Sequence, residues 1–122
     1  MNNVPGRARQ TVSMTDDRVS LDACPNLTFA FEILGKRWSA LILDLLGSRP
    51  ARFSEILRAV PGLSDKMLAE RLAELMDHGL ITRSVEDVSV TYALTGNGRE
   101  LAPALDAIRR WAVERKVRGN IE

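Results

Sequence analysis

The 122-residue chain carries one thiol, Cys24, and one imidazole, His78. Neither has the company that catalysis or metal binding requires. No second His or Cys lies near His78 in sequence, whereas a zinc site gathers several such ligands at short spacing. Ser, His and Asp all occur, yet no serine sits in a nucleophile-elbow sequence. Gly96-Asn97-Gly98 follows a strand-like segment but lacks the rest of a phosphate-binding loop. These readings point away from an enzyme, and they call for no cofactor and no metal. What remains is a set of groups suited to a nucleic acid: Arg52, Ser54, Ser64, Lys66, Arg71, Arg83, Ser89 and Thr91, with Met67 and Glu70 interleaved. Arg and Lys donate to guanine edges and phosphates, and hydroxyls and free backbone amides bind phosphate oxygens.

The elements that must position these groups are legible from periodicity. Leu27, Ala30, Phe31 and Leu34 fall at i, i+3, i+4, i+7 and predict a first helix, with Pro25 at its start and Gly35 at its end. Trp38, Leu41, Ile42 and Leu45 repeat the spacing and predict a second helix closed by Gly47. Phe53, Ile56, Leu57 and Val60 predict a third, stopped by Pro61-Gly62. Ser64 is a good N-cap for a fourth, whose core stripe is Leu68, Leu72 and Leu75 and whose end is His78-Gly79. The period then changes. Leu80 to Val85 and Val88 to Leu94 are rich in β-branched residues and predict a hairpin turning at Glu86-Asp87. Thr95 reads as the N-cap of one long helix from Gly96 to Arg118, striped by Leu101, Leu105, Ile108 and Ala112. The expected fold class is mainly α with one small β-hairpin.

Composition agrees with a single soluble domain. Hydrophobic residues make up 45%, charged residues 27% and aromatics 5%, so the core must be built mostly of Leu, Ile, Val and Ala. A lone cysteine excludes an internal disulfide. No apolar run approaches the ~20 residues of a membrane span, and the N-terminus has no signal-peptide core. The expected location is therefore cytoplasmic, with no membrane partner. The net charge of +1 is uninformative by itself, so charge layout matters more than the sum. Residues 1–22 are polar, include Arg7, Arg9 and Arg18, and read as a flexible arm preceding a domain over residues 23–118.

The third and fourth helices, joined by a few residues around Pro61-Gly62, form a helix-turn-helix, and the hairpin that follows is a wing. In that arrangement the fourth helix enters the major groove of double-stranded DNA, about 12 Å wide. With residues at 100° steps, Leu68, Leu72 and Leu75 face inward. Lys66 and Glu70 then lie opposite, and Met67 and Arg71 lie on one shoulder.

The run Cys24-Pro25, Gly35-Lys36-Arg37-Trp38, Leu43 to Gly47, Arg52-Phe53-Ser54-Glu55, Ser64 to Leu75, Gly79 to Arg83 and Tyr92 to Thr95 with Gly98 resembles the HxlR family of winged helix-turn-helix transcriptional regulators. The resemblance covers residues 24 to about 115. It implies a homodimer, paired through the N- and C-terminal helices, on a palindromic or near-palindromic operator. Two features depart from the family pattern. The family hairpin commonly carries a Pro-Pro pair before its tyrosine, where this chain has Ser84 to Thr91 without proline, and the wing is a few residues shorter.

Some members of that family sense oxidants or electrophiles through a cysteine at the position matching Cys24. A thiol at a helix N-terminus feels the positive end of the dipole, which favours the reactive thiolate. The bland reading is a small residue that seats the first helix. Phe29, Phe31, Trp38, Leu105, Ile108 and Trp111 are expected to form the dimer interface or a ligand pocket within it. Two alternatives stay open. One is a winged-helix module that binds protein, which the acidic Glu70, Glu74 and Asp77 favour. The other is a regulator triggered by a non-covalent aromatic or cationic ligand near Trp38 and Phe31.

Overall fold

The structure is a computed structural model and describes residues 20–121, with side chains described as far as residue 117. All but the last few residues of the expected N-terminal arm lie outside the described residues. Five substantial helices, one short helical turn and a hairpin follow in order: α1 (Pro25–Leu34), α2 (Ser39–Ser48), α3 (Phe53–Ala59), α4 (Asp65–Asp77), β1 (Ile81–Glu86), β2 (Ser89–Leu94), α5 (Gly96–Arg99) and α6 (Ala102–Ile121). This is a winged helix-turn-helix, as the periodicity predicts.

One core joins Ile42, Leu43 and Leu46 of α2, Ile56 of α3, Leu68, Leu72 and Leu75 of α4, and Ile81, Tyr92 and Leu94 of the hairpin. Each fully buried aliphatic side chain contributes roughly 1.5–3 kcal/mol through its removal from water. The third and fourth helices and their cores match expectation. The first two do not match in detail. α1 turns Ala30, Ile33 and Leu34 towards the core and leaves Leu27, Phe29 and Phe31 exposed. Its sequence is apolar nearly all round, so periodicity finds a helix without deciding which side is inward. In α2 the buried set is Ile42, Leu43 and Leu46, while Leu41 is exposed. Trp38 is not helical but precedes α2 in a left-handed conformation, φ 82°.

The hairpin pairs Ile81 with Leu94 and runs to Glu86 with Ser89, so its turn is Asp87-Val88, one residue later than expected. Asp87 accepts the positive φ of 55° that such a tight turn needs. A third short pairing was not foreseen. Ala51, just before α3, exchanges both backbone hydrogen bonds with Tyr92 at 3.0 and 2.8 Å. The link between α2 and α3 thus fastens the wing to the helices.

The long last helix is interrupted. Thr95 Oγ1 accepts from the Gly98 N–H at 3.1 Å and donates to the Gly79 carbonyl at 2.6 Å, capping α5 and tying it to the end of α4. Pro103 in the first turn of α6 has no N–H to continue the ladder from α5, and the chain turns at Glu100-Leu101. Gly98 is buried against the backbone of Leu80, and a Cβ there would lie 2.1 Å from the Leu80 oxygen. Gly96, in the same short helix, has nothing within 4 Å of that position.

Gly98→Ala should therefore lower stability by about 1–3 kcal/mol, while Gly96→Ala changes it by much less. Urea unfolding of the two variants checks this. Equal destabilisation would show that the close approach to Leu80 does not matter.

Candidate nucleic-acid interface

The start of α4 is built by Ser64, whose Oγ accepts from the Met67 N–H at 3.1 Å. That bond fixes the first turn, where helix geometry leaves the Asp65 and Lys66 amides without a helical acceptor. Burial of Leu68, Leu72 and Leu75 then sets the rotation of the helix. Lys66, Ala69, Glu70 and Ala73 are exposed on the far side, and Met67 is half-buried against the core. At the other end Gly79, at φ 73°, lets the Leu80 N–H close on the Leu75 carbonyl at 3.0 Å.

Arg52 and Ser54 stand exposed at the start of α3. Their helix is capped by Glu55, whose carboxylate accepts from the Arg52 backbone N–H at 2.8 Å and from Arg49 Nη2 at 3.1 Å. The Arg49 guanidinium and the Arg52 amide hold the Glu55 carboxyl down at about 2. Glu55 contributes a cap and no free negative charge beside Arg52.

The wing divides its residues by face. Cross-strand partners share a face, so Arg83 lies on the side of Tyr92, while Thr91 and Ser89 lie on the other side with Ser84 and Glu86. Arg83 and Ser89 are exposed, Thr91 half-buried, and the tip carries Glu86, Asp87 and a fully exposed Val88.

Arg71 does not stand with Lys66. Its side chain is only 12% exposed, and its Nε donates to the Arg37 carbonyl at 2.9 Å. Nη1 donates to Glu74 Oε1 at 3.0 Å, and the other Glu74 oxygen accepts from Lys36 Nζ at 3.1 Å. Lys36 and Arg71 together hold the Glu74 carboxyl below the usual carboxylate range. Glu74 is therefore not a free acid on the outer face. Sequence reasoning missed this network because it spans some 35 residues, although Lys36 and Arg37 stand in a motif already noted.

The residues expected to share an interface or pocket do not converge within one chain. Phe29 lines an apolar groove with Leu34, His78 and Leu101, and its ring meets His78 edge-on at 6.3 Å. Leu105 lines a separate groove between α2 and α6, bridged by the Arg109–Asp44 ion pair. Trp38 lies against Gly62 instead. Phe31, Ile108 and Trp111 are exposed on the surface. Cys24 is an exposed free thiol immediately before α1, and its carbonyl accepts from the Thr28 amide at 2.9 Å. Among the described residues no group of three or more His, Cys, Asp and Glu could hold a metal, and no helix is long and apolar enough to cross a membrane.

The sequence model described as HxlR-like helix-turn-helix matches residues 33–119. The chain belongs to the HxlR-like helix-turn-helix family. It is similar to YvaP of Bacillus subtilis, an uncharacterized HTH-type transcriptional regulator, at 45% identity over 96 residues, covering 76% of this chain and 89% of that protein. It is also similar to the HTH-type transcriptional regulator YodB of the same organism, at 42% identity over 92 residues, 73% of this chain and 82% of that one. The solved structure of the reduced form of YodB superposes with a TM-score of 0.68 at 41% identity, covering 75% of this chain and 92% of that chain. The redox regulator HypR in its oxidized form superposes at 0.70 with 29% identity, covering 75% and 96%. Transcriptional regulation through a DNA-binding helix-turn-helix is thus the function of this HxlR-type chain.

Glu55 gives a pH test of the α3 cap. A folded-state value held at about 2, against 4.5 for the free group, stabilises the fold fully above pH 4.5 and loses that contribution as the pH falls towards 2. The Tm advantage of wild type over Glu55→Gln should shrink across that window. An advantage that stays constant from pH 7 to 2 would remove Glu55 as the cap.

Proposed function

We propose that this HxlR-type regulator works as a homodimer that reads a palindromic operator and changes its grip when Cys24 reacts with an oxidant or electrophile. The observation that carries the DNA-binding part is the outward N-terminal half of α4. Its core stripe is buried, and Lys66 and Glu70 face solvent beside a capped helix start. In this reading Lys66, Met67 and Glu70 meet base edges, and Ser64 with the first amides of α4 meets a phosphate. Arg52 and Ser54 add backbone contacts from α3. On the wing, Arg83 and the hydroxyls of Ser89 and Thr91 serve the backbone, since the acidic tip repels phosphate.

Dimerisation is supported by surface left unburied. α1 exposes Leu27, Phe29 and Phe31, and α6 exposes Ile108, Trp111, Val113 and Val117. Apolar area of that extent on two terminal helices marks an interaction surface. A two-fold axis through them would set two copies of α4 roughly 34 Å apart, one turn of DNA.

The sensing part is supported by the exposure of Cys24 and by relatives solved as quinone-bound and diamide-treated YodB and as oxidized HypR. With one cysteine per chain, oxidation forms a disulfide with another subunit or a mixed disulfide with a small thiol. Two thiols lose two protons and two electrons to the oxidant and form one S–S bond. An electrophile such as a quinone instead adds the thiolate at a ring carbon. The C–S bond forms as the ring C=C pair shifts and opens the conjugated carbonyl, whose oxygen takes a proton from solvent. The ring C–H proton then passes to the second oxygen to give the hydroquinone thioether.

A gel-shift titration on the DNA upstream of the gene, at rising salt and before and after diamide or quinone, tests both parts. Binding should weaken steeply with salt, because phosphate contacts release counterions, and should change on oxidation in wild type only. A Cys24→Ser variant that still responds fully would end the sensing reading and leave the regulator. Absence of salt-sensitive binding to any duplex would favour the protein-interaction alternative.

A further inference from the structure

The turn between α1 and α2 grips the helix-turn-helix at two places, its tight turn and its second helix. Trp38, at φ 82°, lays its ring against the α3–α4 turn, where a Cβ on Gly62 would lie 3.4 Å from the ring edge. Gly62 itself has φ 88°, so a side chain there would be doubly opposed. The Arg37 guanidinium covers the Trp38 ring at 4.3 Å. One turn further along α4, Arg71 reaches back to the Arg37 carbonyl at 2.9 Å and to Glu74 at 3.0 Å. Lys36 closes on the second oxygen of Glu74 at 3.1 Å.

These contacts use one side of α4 only. Arg71 and Glu74 are half-buried and bonded to the turn, while Lys66, Glu70 and Ala73, at i, i+4 and i+7 on the other side, are exposed. The leucine stripe decides which side of α4 is inward, but apolar packing is non-directional and tolerates small rotations about that setting. Directional bonds at the shoulder restrict the rotation that remains. Arg71 is suited to this because its planar guanidinium holds separate nitrogens in a fixed fork, Nε on the Arg37 carbonyl and Nη1 on the Glu74 carboxylate, where a lysine has a single nitrogen on a flexible stem.

We infer that Arg71 is a positioning residue for DNA recognition: through Arg37 and Glu74 it holds α4 at the rotation its buried leucines set, so that Lys66 and Glu70 stay presented, and it makes no DNA contact itself. This rests on the reading of α4 as the recognition helix. The turn it holds begins where α1 ends, so α4 is fastened directly to the helix that carries Cys24 at its start.

The test is fluorescence anisotropy of the full chain on two duplexes, an operator selected by wild type from a random pool and a scrambled duplex of equal length. Arg71→Lys, Arg71→Ala, Glu74→Gln and the Arg71→Lys/Glu74→Gln double variant are compared with Lys66→Ala across a salt series, with Tm measured for each. Arg71→Lys should weaken operator binding roughly tenfold, the scale of one charge-assisted hydrogen bond. Its scrambled-duplex affinity and salt slope should match wild type, and Glu74→Gln should add little in the double variant. Lys66→Ala should reduce the salt slope if Lys66 meets phosphate, or relax one base preference if it meets a base. A salt slope lowered by about one unit in Arg71→Ala would make Arg71 a phosphate contact and overturn the inference. A lowered Tm with undiminished operator affinity would reduce Arg71 to a packing role and overturn it too. Wild type that selects no operator would fail the recognition-helix reading itself, and this inference with it.

Discussion

Leu68, Leu72 and Leu75 are at most 2% exposed and lock α4 into one core with Ile42, Leu43 and Ile56. A helix with three buried positions at that spacing has no freedom to choose its outer face. Lys66, Ala69, Glu70 and Ala73 are outward because the leucines are inward. Everything else in the fold either supports this placement or hangs on it. Ser64 and Gly79 fix where the helix starts and stops. The Pro61-Gly62 turn delivers it from α3, and the Lys36–Trp38 turn holds it from the side.

The wing depends on the same core through Ile81, Tyr92 and Leu94. A two-stranded hairpin is at best marginally stable alone. Here it gains the Ala51–Tyr92 pairing on one edge and the Thr95–Gly79 bond at its base. The wing is thereby anchored at its base while its tip, Asp87-Val88, projects into solvent. The tip carries the Asp87 carboxylate, with that of Glu86 beside it at the end of β1.

The two terminal helices behave differently from the middle of the chain. α1 buries no residue fully, and α6 touches the body mainly along α2, pinned by the Arg109–Asp44 pair. Exposed ion pairs of that kind contribute little, about 0–1 kcal/mol. The apolar sides of α1 and α6 are therefore not accounted for by packing within one chain. The proposed sensing thiol, Cys24, is exposed at the start of α1 beside those apolar residues. The route from there to α4 is short, since only four residues separate α1 from α2 and three of them bear on the helix-turn-helix.

The order of elements, the α4 stripe, its Ser64 cap and the Gly79 stop could all be read from the sequence. They depend on local spacing and local hydrogen bonds, which a chain displays in one dimension. The inward side of α1, the register of α2, the Asp87-Val88 turn and the break before α6 could not. An evenly apolar helix such as α1 states no orientation, and a turn moves by one residue at little local cost. The fate of Arg71 was the least legible of all. On a helical wheel it is an outer cation beside Lys66, and only the arrival of a turn more than thirty residues earlier converts it into a buried donor. Local chemistry decided which elements form and which helix faces outward; the tertiary contacts decided which of its cations are free to meet DNA, because a guanidinium goes to whatever acceptor folding brings within reach.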